Sequence, residues 1–193
     1  MYLSDNDIRK GVKNGDIIID KFNESQLQPA SYDIRLGNKF IYNLEHETSF
    51  VDPVKKIFPK VREVFIKDSE EFILHPGVSV LATSVELFGS EKYLIHLNGK
   101  SSLARIGLVV HNTAGLINPG HYLHITFELA NLSNIPIVLH PQMPIAQLTF
   151  SMLSSPPGKE YAKVGRYGNG MKNVSSYIPP KVVRLSKKKA RTK

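Results

Sequence analysis

Past residue 15 the chain loses helical periodicity and breaks into short runs of apolar or alternating residues, each stopped within a few positions by glycine, proline, asparagine or serine. The runs fall at residues 31–36, 64–66, 72–74, 78–81, 93–97, 108–110, 124–129, 137–139 and 145–150. None is long enough to make a stable helix. Where the residues alternate, as Tyr32, Ile34 and Leu36 do with Ser31, Asp33 and Arg35, one face is apolar and the other polar. That strand is expected to end at Gly37-Asn38. Many short strands with frequent turn residues predict an all-β domain of the sandwich or barrel type.

Two short helices interrupt the pattern. Ser4 is a good N-cap with Asp7 three residues on, Leu3 is placed to staple onto Ile8, and Ile8 and Val12 share a face, so a helix is predicted to run to about Gly15-Asp16. Residues 101–106 are the one internal candidate for a helical turn.

The 193 residues suit one domain with a core of its own. The net charge of +8 is concentrated at the end: residues 181–193 carry seven Lys and Arg and no acid, leaving 18 − 17 = +1 for the rest. The expected organisation is a β domain over 1–153, a glycine-containing arm over 154–180 that follows the Ser154-Ser155-Pro156-Pro157-Gly158 break, and a disordered basic tail over 181–193. The tail reads as a solvated extension, with a nucleic acid partner unlikely on this composition. With no cysteine, disulfide scaffolds, thiolate zinc sites and cysteine nucleophiles are excluded. No run spans a bilayer, and the acidic N-terminus lacks the layout of a secretory signal, which predicts a cytoplasmic protein without a membrane partner.

Three segments can carry chemistry. Gly99-Lys100-Ser101-Ser102-Leu103-Ala104-Arg105 places two hydroxyls and two cations where a strand gives way to a helical turn, a composition suited to phosphate oxygens or to an ordinary serine-capped turn. It is not a Walker A loop, since Leu94 stands where the first glycine is needed. In the second, residues 124–129, alternation puts His124, Thr126 and Glu128 opposite Ile125, Phe127 and Leu129. On a solvated face Glu128 is an outward strand residue; in a cleft it is a proton-transfer group. The third, residues 111–120, is a Gly/Pro-bounded loop that reads equally as a ligand-approaching loop or a plain connection. His121 and His124 would point to opposite faces of a strand, the His-x-Glu…Cys-x-x-Cys zinc deaminase signature is absent, and no Gly-x-Ser-x-Gly elbow occurs.

Taken together, Gln28 to Gly37 (QPASYDIRLG), Gly99 to Gly107 (GKSSLARIG), His111 to Asn131 and Ile145-Ala146-Gln147-Leu148 resemble, in order and spacing over about residues 1–177, the dCTP deaminase family of the trimeric dUTPase-like superfamily. The resemblance implies a distorted β-barrel of the β-clip type, a homotrimer with active sites at subunit interfaces, and zinc-independent hydrolysis of dCTP to dUTP and ammonia, with Mg²⁺ carried by the triphosphate. It implies that Glu128 is the general acid/base and that Ser101 and the Ala114 carbonyl hold the attacking water. Arg105 would lie beside the reacting base. Lys100 and Ser102 fall on phosphate positions, Asn118 on the deoxyribose position, Thr126 and Phe127 beside the base, and Gln147, Tyr161 and Arg166 on triphosphate positions. Glu128 is the sole acid between Glu91 and Glu160, and the resemblance favours its facing a cleft.

Gly115-Leu116 resembles the branch that also converts dUTP to dUMP and pyrophosphate, whereas Asn118 replaces the aspartate expected there and cannot act as a base. Three further departures stand out. His121-Tyr122-Leu123 replaces an aromatic-x-Gly, Pro141-Gln142-Met143 replaces Pro-Gly-Met, and Gly170 replaces a glutamine. They keep two alternatives in view, a dUTP diphosphatase alone and a non-catalytic nucleotide-binding or regulatory module.

Overall fold

The computed structural model describes residues 1–44 and 48–165. Helix α1 (Asp5–Asn14) starts where expected because Ser4 and Asp7 cap each other: the Ser4 hydroxyl accepts from the Asp7 N–H, and the Asp7 carboxylate accepts from the Ser4 N–H. Gly15 ends it in the left-handed region at φ 78°. Leu3 and Ile8 are both buried in the main core.

Twelve strands follow: β1 (Ile18–Ile19), β2 (Leu27–Gln28), β3 (Ser31–Asn43), β4 (Val61–Phe65), β5 (Phe72–Leu74), β6 (Ser79–Gly89), β7 (Tyr93–Gly99), β8 (Leu108–Val109), β9 (Leu116–Ile117), β10 (Leu123–Asn131), β11 (Ile137–Leu139) and β12 (Pro144–Met152). Helix α2 (Ser101–Ala104) lies between β7 and β8, and α3 (Tyr161–Val164) follows β12. The strands of the main sheet run β8-β10-β6-β3-β12-β7-β9, with β1 on β6 and β2 and β4 on β3; β5 and β11 pair separately. The all-β class with short N-terminal and internal helices holds, and the antiparallel sheet curls into a half-barrel. Its concave face is one apolar core that includes Ile34, Leu36, Phe40, Ile95, Phe127, Leu148 and Phe150. Among the described residues no helix is long and apolar enough to cross a membrane. Residues 166–180 of the expected arm and the basic tail lie outside the described residues.

One expectation about β3 is corrected. The strand does not stop at Gly37-Asn38 but continues to Asn43. A Cβ on Gly37 would sit 2.8 Å from the Thr83 carbonyl oxygen, so this glycine allows two backbones to approach rather than turning the chain. The register against β6 shifts between Leu36 and Phe40 at this point. The polar face of β3 is closed off from solvent as well: Ser31 and Asp33 are buried, and so is Glu86 on β6. Glu86 accepts from the Arg35 Nε at 2.6 Å, the Arg35 N–H at 3.1 Å and the Gln26 Nε2 at 3.2 Å. Arg35 also donates from Nη1 to Gln142 Oε1 at 3.1 Å, and Gln142 Nε2 donates to Asp68 at 3.0 Å. Gln142 holds φ at 69°, the conformation for which glycine would be the usual choice, and these two hydrogen bonds offset the strain of a side chain there.

Candidate active site

Glu128 lies on β10, where the burial pattern alternates as the sequence predicts: Ile125, Phe127 and Leu129 are buried, and His124, Thr126 and Glu128 are half-exposed on the other face. The Glu128 main chain donates to the Val110 carbonyl at 3.0 Å, which brings the loop after β8 alongside. Its carboxylate Oε2 accepts the Asn112 N–H at 2.7 Å. Thus the third segment closes onto the second through the carboxylate itself. On the same face the Thr126 hydroxyl is buried without a hydrogen-bond partner, as is Nδ1 of His111 at the start of the loop. Both atoms have hydrogen-bonding capacity to spare.

The loop is shaped by two residues. Thr113 holds φ at 130°, which a β-branched side chain rarely tolerates. Gly115 passes so close to β7 that its carbonyl accepts the Leu97 N–H at 2.8 Å, and a Cβ there would lie 2.8 Å from the Leu97 oxygen and 3.2 Å from the His111 ring. No larger residue fits at 115 without moving the loop. Ala114, between the two, is exposed.

The Lys100–Arg105 corner is built separately. Helix α2 has no side-chain cap, so the serine-capped turn is not what forms, and Ser101, Ser102 and Arg105 are exposed. Lys100 turns back to β3 and pairs with Asp33 at 2.5 Å, while Gln28 donates to the same Asp33 oxygen at 3.3 Å. The other Asp33 oxygen is buried and unpartnered. Gln147, on β12 opposite Asp33, accepts the Ser31 hydroxyl at 2.8 Å and donates to the Gly99 carbonyl at 3.0 Å. Asp33 and Gln147 therefore pin the corner from the sheet side. Ser31 and Asp33 were not singled out from the sequence as site residues; a charged residue amid a run of apolar side chains was the available signal.

Among the described residues no hydrogen bond or ion pair joins Glu128 to Lys100, Ser101 or Arg105. The Phe127 ring is wholly inside the core, so a base beside this strand would meet the Phe127 main chain, whereas the Thr126 side chain lies on the other face with Glu128. Asn118 is exposed and begins a turn in which its carbonyl accepts the His121 N–H at 3.1 Å. Tyr161, at the start of α3, stacks on His121 with ring centroids 4.3 Å apart. Arg166 lies outside the described residues. Among the described residues no group of three or more His, Cys, Asp or Glu side chains is arranged to hold a metal ion.

Two neighbouring groups titrate far from their ordinary values. Burial holds His121 down at about 4, and burial together with a hydrogen bond to Glu91 pushes Tyr122 up to about 12. His121 is therefore neutral in the folded protein, and on acidification the unfolded chain takes up its proton first. The stability this residue contributes is complete above pH 6.5 and is lost as pH falls toward 4. Urea midpoints measured across that window should fall for the natural chain, and the fall should be shallower in His121→Phe.

A family model described as dCTP deaminase-like matches residues 2–153. A "dCTP deaminase, dUMP-forming" from Corynebacterium efficiens is 43% identical over 162 residues, covering 83% of this chain and 84% of that protein. A "dCTP deaminase" from Natronomonas pharaonis is 43% identical over 166 residues, covering 83% and 85%. Among solved structures, the 2'-deoxycytidine 5'-triphosphate deaminase of Agrobacterium tumefaciens superposes with a TM-score of 0.59 at 21% identity, over 79% of this chain and 46% of that one. This last likeness bears on the fold alone.

Proposed function

Because the chain belongs to the dCTP deaminase-like family, we propose that it is a hydrolase that converts dCTP and water to dUTP and ammonia, with Glu128 moving the proton. The observation that carries this reading is the placement of the one acid of the segment at the mouth of the 111–116 loop, held by the Asn112 N–H beside the unpartnered Thr126 hydroxyl. Glu128 takes a proton from water as the oxygen attacks C4 of cytosine. It delivers that proton to the ring nitrogen, and a second transfer from the new hydroxyl to the exocyclic amine lets ammonia leave as the carbonyl forms. Ser101 and the Ala114 carbonyl are assigned to the water, and Arg105 to the oxygen that gains charge at C4.

Lys100 and Ser102 are assigned to the triphosphate, which brings Mg²⁺ as part of the substrate; Gln147, Tyr161 and Arg166 complete that assignment. Lys100 is held by Asp33 in the structure, so it would share its charge between carboxylate and phosphate. Since among the described residues no hydrogen bond or ion pair joins Glu128 to the Lys100–Arg105 corner, the reading assigns the complete site to the meeting of two copies of the chain in a homotrimer, as the family resemblance implies. An enzyme of the nucleotide pool with these properties is assigned to the cytoplasm.

The relatives named dUMP-forming support a second step, hydrolysis of dUTP to dUMP and pyrophosphate. Asn118 makes that step slow, since an amide cannot take a proton from water. Incubation with dCTP and Mg²⁺, resolved by anion-exchange chromatography, tests both parts. dUTP with ammonia is the expected main product, and dCMP or unchanged dCTP would overturn the reading. In Asn118→Asp the rate of dUMP formation should rise by about 10²-fold, as expected for restoring a general base.

A further inference from the structure

We propose that His121 is a positioning residue for the nucleotide site: its ring is the dock on which Tyr161 seats the segment leaving the β domain, beside Asn118. The proposal rests on the reading of that site as nucleotide-binding, and it concerns two side chains that the proposed chemistry does not use for proton transfer.

The dock is built from both sides. Beneath it, the Gly120 N–H donates to the Ser90 carbonyl at 2.8 Å and the His121 N–H to the Asn118 carbonyl at 3.1 Å, so the turn bearing His121 is fixed to the body of the sheet. Gly120 holds φ at 79°, a conformation that favours glycine, and Glu91 and the Tyr161 Cβ both lie close to it. Next to it, the Tyr122 ring lies directly against Gly89, where a Cβ would be 2.1 Å from the ring, and its hydroxyl is hydrogen-bonded to Glu91. His121 itself is 9% exposed and its ring meets Tyr161 at 4.3 Å with an interplanar angle of 24°. Above, Gly165 covers the phenol ring: a Cβ at 165 would lie 2.5–2.7 Å from its atoms. Gly165 has an ordinary φ of −71°, so space rather than backbone freedom demands a glycine there.

Helix α3 cannot hold this position unaided. It has four residues, none of them buried, and a helix of one turn is not stable in isolation. The ring pair supplies what the helix lacks, and it does so two residues after the buried Pro119 that follows Asn118. Where Tyr161 sits, and with it any contact it makes to a triphosphate, is thereby set by the turn that carries Asn118, the residue assigned by resemblance to the sugar. Among the described residues, Glu91, Tyr122, Tyr161 and the Asp16–Lys92 and Glu160–Lys163 pairs are ionisable groups on the segments that meet at this corner, and burial is the cause that lowers the His121 pKa.

Three measurements on the full chain test the proposal. By NMR, the His121 ring should titrate at about 4 in the natural protein and move toward 6.5 in Tyr161→Ala. Trypsin cleavage after Lys163, followed by mass spectrometry, should be about fivefold faster in His121→Ala and unchanged in His121→Phe, which keeps an aromatic surface. The KM for dCTP should rise about fivefold in His121→Ala with kcat little altered, and return toward the natural value in His121→Phe. An unmoved titration in Tyr161→Ala with natural cleavage in His121→Ala overturns the dock. A dock that responds while KM does not overturns the positioning role. If the natural protein fails to turn over dCTP, the function reading fails, and the titration and cleavage still decide the dock.

Discussion

Replacing Glu128 with glutamine should lower the rate of ammonia release from dCTP by at least about 10³-fold while leaving the fold intact. The substitution keeps the length and shape of the side chain and removes only its ability to take up a proton. Within the subunit the carboxylate accepts one hydrogen bond, from the Asn112 N–H at 2.7 Å, and the glutamine oxygen accepts the same bond. It lies on the half-exposed face of β10, opposite Phe127 and Leu129, so the core does not register the change. The thermal midpoint is therefore expected to stay within the range of a single exchanged surface hydrogen bond, about 1 kcal/mol. An ammonia-coupled assay alongside a melting curve separates the two effects. Natural turnover in Glu128→Gln would remove Glu128 from the mechanism, and a collapsed melting curve with lost activity would show that it supports the structure instead.

What could be read from the sequence was what local physics determines. The capping box of α1 involves residues three apart, and the inward and outward faces of β10 follow from period two, so both were accessible without the fold. Gly37 misled because a glycine followed by asparagine signals a turn, whereas here the missing side chain admits Thr83 from a strand over forty residues on. The same blindness to distance hid the partners of the site. Lys100 resembled a free phosphate ligand because Asp33, which claims it, is remote in sequence, and Gln147 meets Gly99 and Ser31 only once β12 lies between β3 and β7. The alternation within β10 already points the Phe127 ring inward, which leaves its main chain as the part a base could meet. His121 stood out only as a departure, and the ring that occupies it comes from forty residues later.

Removing Glu86 should be the most destabilising single change in the scaffold beneath the site. In Glu86→Ala the loss is expected to be about 3–5 kcal/mol, the range for breaking one side of a buried ion pair. The carboxylate is fully buried and takes three hydrogen bonds, two from Arg35 and one from Gln26. Without it, the Arg35 guanidinium, itself only 26% exposed in its side chain, retains a single neutral acceptor in Gln142, and the Gln26 amide keeps only the Asp33 carbonyl. Arg35 and Asp33 belong to the same strand, so disorder spreading along β3 would reach the Asp33–Lys100 pair and the corner that carries Ser101 and Arg105. Urea denaturation at fixed protein concentration measures the loss, and a shift below about 1 kcal/mol would show that the pair is dispensable. The double variant Glu86→Leu with Arg35→Met discriminates further. If the cost comes from stranding a charge, replacing both partners recovers most of it; if it comes from the geometry that the pair imposes on β3, the double variant stays as destabilised as Glu86→Ala.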